Sequence, residues 1–280
     1  MQLGLALEAA GIAYVLQEEP DECRLFVPTP FVAQARAEIQ DYLQENRAIP
    51  VARASFSRLG NGWPGVLGYA AVLVIVTILQ HQDALARNWF DAGKMNAGAI
   101  RQGEWWRAIT ALSLHSDLVH LLSNILIGGL IGVFAGQLLG SGFAWMSILL
   151  AGGAGNLLNG LIRESAHTSI GASTSVFAAL GIVAALGWIR HRQTRASRLA
   201  RNAPLVGAVV LLSFLGTGGE RTDVLAHLTG FLSGVLLGAV YGRLGNRVAF
   251  RRTAQCLFGL GAMATLALAW FVALKRHHRP

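Results

Sequence analysis

Charge is scarce in this chain. Only 14% of its 280 residues are Asp, Glu, Lys or Arg, against about 25% in a soluble globular domain. Acidic residues are the rarer sign, 15 against 23 basic, and none lies inside the long apolar runs. Cysteine is almost missing. Cys23 sits in a polar segment and Cys256 in an apolar one, which excludes a disulfide framework and a cysteine-based metal site. Met1 to Ala10 has neither the basic start nor the long apolar core of a cleavable signal peptide. The net charge of +8 does not point to nucleic acid, because the basic residues cluster beside apolar runs, where the positive-inside rule puts them.

What is abundant is apolar length. The hydrophobic fraction is 53% and the mean hydropathy +0.47. Several runs reach the roughly 18–20 residues that cross a bilayer. The expected fold is an all-α polytopic membrane protein with spans near 65–80, 118–139, 143–161, 173–189, 203–215, 224–241 and 253–274. The fifth is short of a full crossing. Residues 1–60 form a polar prelude. Leu3–Ala10 reads as a helix, Ile12–Gln17 and Cys23–Val27 as strands around an acidic turn, and Phe31–Asn46 as an amphipathic helix with Phe31, Ala35, Ile39 and Tyr42 on one face. A basic linker with Arg47, Arg53 and Arg58 ends this αββα unit. The expected domains are 1–60, a membrane domain at 65–242, and an extra helix with a basic tail at 243–280.

The loops set an orientation. With the N-terminus in the cytoplasm, the arginine-rich connections 191–202 and 243–252 are cytoplasmic too. Loops 162–172 and 216–223 then face outward with one arginine each, Arg163 and Arg221. The basic tail faces outward against the rule. The long polar connection from His81 to Asp117 carries Glu104-Trp105-Trp106-Arg107, whose plain reading is an interfacial anchor.

Polar groups within membrane segments are expensive and tend to be functional. Four stand out: His120, Asn124, Ser173 and His227. The second, fourth and sixth spans all begin outside and run inward, so the four share a depth near the outer surface. Ser173 opens a helix behind Gly171, where unpaired N–H groups and the helix dipole favour an oxyanion. The plain alternative is that Ser173 is only an N-cap. Serine needs a neighbouring base to become a nucleophile, and a neutral histidine such as His227 can serve. Asp223, four residues earlier, either orients His227 or caps its helix. His120 and Asn124 stand one turn apart above a glycine stripe at 128, 132 and 136. A second small-residue stripe runs through Ala226, Gly230, Gly234 and Gly238. Such stripes let helices approach closely, within one molecule or between two.

Trp106-Arg107, His115, His120, Asn124, Gly171-Ala172-Ser173, Phe177, and Ala226-His227 with Gly230 and Gly234 occur in an order and spacing that resembles the rhomboid family of intramembrane serine proteases. The likeness covers residues 65–242. It implies a six-helix bundle, here with a seventh C-terminal helix, and a Ser173–His227 dyad without a triad acid. It also implies oxyanion donors at His120, Asn124 and the Ser173 N–H. His115 would organise its loop, Trp106-Arg107 would brace the lateral loop, and Phe177 would pack under His227. Transmembrane protein segments are the implied substrates, with no cofactor and no metal, in a bacterial cytoplasmic membrane with the site open to the outer face. Two positions depart from the family pattern: Thr174 replaces the usual Gly after the nucleophile, and Phe177 replaces a Tyr. A catalytically inactive binding scaffold of the same family is the alternative, supported by Thr174. A transporter using the intramembrane histidines would place paired charges near mid-bilayer, whereas the charges here lie in loops.

Overall fold

The structure, a computed structural model, describes residues 2–18, 23–45, 59–193, 197–216, 222–244 and 251–277. It divides into two compact units, residues 1–53 and 54–280. In the first, α1 (Gln2–Ala9), an antiparallel hairpin of β1 (Val15–Glu18) and β2 (Cys23–Phe26), and α2 (Val32–Glu45) close over Leu7, Ile12 and Ala35. Phe31, expected on the inner face of the amphipathic helix, is instead 46% exposed. It ends a 3-10 turn that begins at Thr29, so the helical periodicity starts one residue too late to bury it. The acidic turn 19–22 and the arginines of the linker lie outside the described residues.

Among its described residues, the second unit is built on seven long helices: α3 (Trp63–His81), then α7 (Leu118–Leu139), α8 (Ser141–Ile162), α9 (Ser173–Gln193), α10 (Arg198–Gly216), α11 (Val224–Leu244) and α12 (Arg252–Arg276). Among the described residues, five are long and apolar enough to cross a membrane: α3, α7, α8, α11 and α12. The apolar part of α9, Ser173–Ile189, is shorter. Helix α10 begins five residues before the expected span, because Ser197 caps it through the Ala200 N–H at 3.2 Å. Arg198 and Arg201 are therefore helical rather than loop residues.

The connection before α7 is not the featureless polar loop its composition suggests. It folds as α4 (Trp89–Gly93), β3 (Met95–Asn96), α5 (Ala97–Arg101), α6 (Arg107–Thr110) and a 3-10 turn at Ala111–Ser113. Asn88 and Asn96 cap α4 and α5 through the N–H groups of Asp91 and Ala99. Strand β3 pairs with β4 (Thr168–Ser169), just upstream of α9. Arg101 donates to the carbonyls of Gly160, Leu161 and Arg163, which satisfies the last carbonyls of α8 and places a cation at the negative end of its dipole. The two neighbouring indoles part company: Trp105 is 45% exposed, as an interfacial anchor requires, while Trp106 is 2% exposed beneath the Arg276 guanidinium, 5.4 Å from its ring.

The glycine stripes pack within this one chain. On α11, a Cβ added at Gly230, Gly234 or Gly238 would come within 2.3, 2.0 and 2.7 Å of the carbonyl oxygens of Thr174, Ala178 and Ile182 on α9. Gly181 of α9 returns the contact, since a Cβ added there would run into the Phe231 carbonyl. The two backbones thus touch along three turns, at a distance only glycine permits. On α7, Gly128 receives Tyr69 and Val176, Gly132 receives Trp145, and Gly136 receives Gly62. The carbonyls facing Gly234 belong to backbone and cannot move aside, so Gly234→Ala should destabilise the protein by about 2 kcal/mol or more. Gly207→Ala, at a helical position with open space around it, should instead be neutral or add up to about 1 kcal/mol. Thermal unfolding of the two variants in detergent checks both.

Candidate active site

The N-terminal ends of α7, α9 and α11 enclose a recess of about 980 Å³ whose walls include Asp117, His120, Asn124, Ser173, Phe177, Asp223 and His227. Ser173 is the first residue of α9. The Val176 N–H bonds to the Ala172 carbonyl at 3.0 Å, so Ala172 holds the cap position and Ser173 follows it. The Ser173 N–H therefore belongs to the set without an intrahelical acceptor. Its Oγ, rather than capping the helix, shares a 2.9 Å hydrogen bond with Nε2 of His227. His227 is 7% exposed, and its ring lies 4.5 Å from that of Phe177, tilted by 38°. The close approach of α9 and α11 sets this contact, since Thr174 and Gly230 meet one residue beyond Ser173 and three beyond His227.

Gly171 is required twice over. Its φ is +119°, and a Cβ there would come within 2.6 Å of Nε2 of His120. The His120 imidazole thus lies against the peptide that leads into Ser173. Asp117 caps α7 by accepting the His120 N–H at 2.8 Å, and Ser116 Oγ lies 3.3 Å from the His120 Nδ1. Asn124 donates from Nδ2 to the His120 carbonyl at 3.0 Å, which uses one of its two N–H bonds. Tyr69 donates to the Asn124 carbonyl at 2.9 Å. His115 is fully buried, with its ring edge-on to that of His120 at 5.0 Å and its backbone bonded at both N–H and C=O to the Gln80 amide. Burial first, and then the neighbouring His120, push the His115 imidazole down to about 4, so it is neutral at physiological pH. Arg107 donates to the carbonyls of Asp91 and Lys94 and pairs with Glu104, which ties α4 to α6.

Thr174 is among the residues that line the recess, and it carries a methyl group. That methyl faces α8 and α11: added Cβ atoms at Gly155 and Gly230 would come within 3.1 and 2.9 Å of it. Two glycines make room for the extra bulk.

A cluster at the rim escaped the sequence reading in part. Asp223 caps α11 through the Ala226 N–H at 3.2 Å. The same carboxylate accepts from Asn159 at 2.7 Å and Arg163 at 2.9 Å, and lies 2.7 Å from Nε2 of His167. It fastens the helix that carries His227 to the end of α8 and to the loop before α9. The position of Asp223 one turn before His227 was a usable signal. Nothing in the spacing of Asn159, Arg163 and His167 marked them as its partners, because the contact joins residues about 60 apart. Among the described residues no group of three or more His, Cys, Asp or Glu is placed to hold a metal ion.

Apolar helices of bilayer length, packed around a polar recess that holds a serine–histidine pair, define a multi-pass integral membrane protein. A family model described as Rhomboid domain matches residues 102–244, half of the chain; the chain belongs to the rhomboid family. It is 31% identical over 141 residues to RHOMBOID-like protein 2 of Arabidopsis thaliana, covering 50% of this chain and 44% of that protein. Rhomboid protease GluP of Bacillus subtilis (strain 168) is 29% identical over 150 residues, 54% of this chain and 29% of that protein. Rhomboid-like protease 3 of Toxoplasma gondii is 30% identical over 152 residues, 54% of this chain and 57% of that protein. The chain thus spans between about a third and just over half of the length of these relatives.

Burial pushes the Asp223 carboxyl up, but the hydrogen bonds from Arg163, His167, Asn159 and the Ala226 N–H outweigh it and hold it at about 2, below an ordinary 3.8. A carboxyl depressed by folding stabilises fully above its unfolded pKa and loses that contribution as pH falls to its folded value. The shift corresponds to about 2 kcal/mol, present above about pH 4 and gone near pH 2. Asp223→Asn should therefore lower the thermal midpoint at pH 7, and the gap to wild type should close as the pH falls from 4 to 2. A gap that persists at pH 2 would contradict this account.

Proposed function

We propose that this chain is an intramembrane serine endopeptidase whose substrates are transmembrane segments of other proteins. The observation that carries the reading is the 2.9 Å contact between Ser173 Oγ and His227 Nε2 in a polar recess at the helix ends. Family membership and the protease names of GluP and Rhomboid-like protease 3 support it. Ser173 Oγ attacks the scissile carbonyl while His227 takes its proton. The resulting oxyanion is held by the Ser173 N–H, His120 and the free N–H of Asn124, donors fixed in place before reaction. His227 returns the proton to the departing amine, and water then hydrolyses the acyl-enzyme. Neutral His115 and Arg107 hold the loop from which α7 starts. The N-terminal unit faces the cytoplasm and the recess opens on the opposite side of the membrane, since the arginine-rich connections belong inside.

A fluorophosphonate should label the wild-type protein and fail to label Ser173→Ala or His227→Ala. Cleavage of a reporter transmembrane substrate should fall at least about 10³-fold in both variants. Equal labelling of wild type and Ser173→Ala would overturn the assignment. The binding-scaffold alternative rests on Thr174, whose methyl faces Gly155 and Gly230. Thr174→Gly should consequently leave kcat within about twofold of wild type while costing about 1 kcal/mol of stability. A large gain in kcat would show instead that Thr174 obstructs the oxyanion site.

A further inference from the structure

Helix α12 lies outside the matched rhomboid region, and none of its residues lines the recess. It is nevertheless tied at both ends to the rest of the unit. Near its start, Gln255 accepts the Phe143 N–H at 2.9 Å and donates to the Leu139 carbonyl at 2.8 Å, pairing two orphan groups where α7 gives way to α8. Near its other end, Ala269, Trp270 and Ala273 are buried against Trp89, Ala92, Trp106 and Leu114. Trp270 packs 4.7 Å from Trp89, in a space that any side chain at Gly93 would fill. Its indole N–H donates to Ser113 Oγ at 3.0 Å, and Ser113 donates onward to the Thr110 carbonyl at 2.8 Å. The next link is backbone: the Ala111 carbonyl of the same turn accepts the Gly171 N–H at 2.9 Å. Two residues after Gly171 is Ser173, and against Gly171 lies His120.

We propose that Trp270 is a positioning residue for the reaction: through Ser113 it fixes the turn at 111–113, and through that turn the Gly171 peptide, so that the Ser173 N–H and His120 stay aimed at the developing oxyanion. The inference rests on the protease reading and adds to it a catalytic use for a helix that contributes no atom to the recess. Oxyanion donors act by being held in advance, so loosening this chain lowers kcat without loosening substrate binding.

The experiment uses the full chain in detergent, with Trp270→Phe, Ser113→Ala and, as control, Leu268→Ala at an exposed position of the same helix. Trp270→Phe keeps a ring against Trp89 but removes both the donor and some of the indole volume that packs at Gly93, whereas Ser113→Ala leaves the indole in place and removes its acceptor. Both test variants should lose about tenfold or more in kcat with KM within about twofold of wild type. Fluorophosphonate labelling should slow by the same factor, the Gly171 amide should exchange faster, and Leu268→Ala should match wild type. Wild-type kcat and exchange in both test variants would overturn the proposal, as would a loss in which KM and the thermal midpoint change together with kcat. Should Trp270→Phe fail to fold, Ser113→Ala decides alone. A wild-type chain that neither cleaves nor labels removes the protease reading and this inference with it. Activity that is lost in Ser173→Ala but untouched in Trp270→Phe and Ser113→Ala removes only this inference.

Discussion

Everything at the recess depends on how closely two backbones can approach. Lipid is as apolar as the side chains it surrounds, so helices in a bilayer gain little from hiding apolar surface and associate through packing and polar contacts. Between α9 and α11 the packing is of backbone on backbone, with Gly230, Gly234 and Gly238 laid over the carbonyls of Thr174, Ala178 and Ile182. A single Cβ anywhere along that line would push the helices apart. Because Ser173 and His227 sit at the same end of this seam, their separation is inherited from it. A hydrogen bond of 2.9 Å has a tolerance of a few tenths of an ångström, which flexible side chains alone would hold poorly. The glycine seam converts that requirement into a property of the helix pair.

The second constraint is electrostatic and acts at the helix ends. Each terminus leaves backbone groups unpaired, and in this chain several termini near the recess are satisfied by side chains, two from the residue just before the helix and one from a separate helix. Asp117 caps α7, Asp223 caps α11, and Arg101 closes the last turn of α8. Asp223 and Arg101 also tie separate parts of the chain together, joining α11 to the loop before α9 and the α5 turn to the end of α8. The polar groups that would be costly in lipid are thereby gathered where water reaches them. The apolar middle of the bundle is left to Phe177, Ile182, Leu186 and their neighbours.

Much of this was legible in the residues. Runs of bilayer length gave the helices, and a spacing of four gave the stripes. Placing Ser173, His120 and His227 at the starts of inward-running spans grouped them at one depth. What periodicity does not carry is partner identity. The stripe at 226–238 reads the same whether its mate is α9 or another molecule, and only packing decides. The connection 81–117 looked irregular because its helices are four or five residues long, too short to show a period. Trp105 and Trp106 carry one sequence signal and occupy opposite environments, since the difference is made by Arg276 and Trp270 from the far end of the chain. The αββα prelude follows strand alternation and turn signals, and Ala35 and Ile39 face inward as their spacing suggests, but Phe31 lies in a 3-10 turn before the helix and is exposed.

The same distinction explains why the seventh helix is hard to read from sequence and yet built into the fold. Its apolar pattern announces a span and nothing more. Two of its side chains reach turns elsewhere in the unit: Gln255 pairs backbone groups at the α7–α8 turn, and Trp270 donates to the Ser113 hydroxyl of the 111–113 turn. An unpaired N–H or carbonyl within the bilayer is costly, and Gln255 supplies a partner to one of each, while Trp270 holds the second turn through a side-chain hydroxyl. Gln80 of α3 holds the other side of the second turn through the His115 backbone. The segment that leads into α7 and abuts Gly171 is therefore gripped from the first and the last helix of the bundle at once. Its geometry is set by the chain as a whole, not by the family-matched core alone.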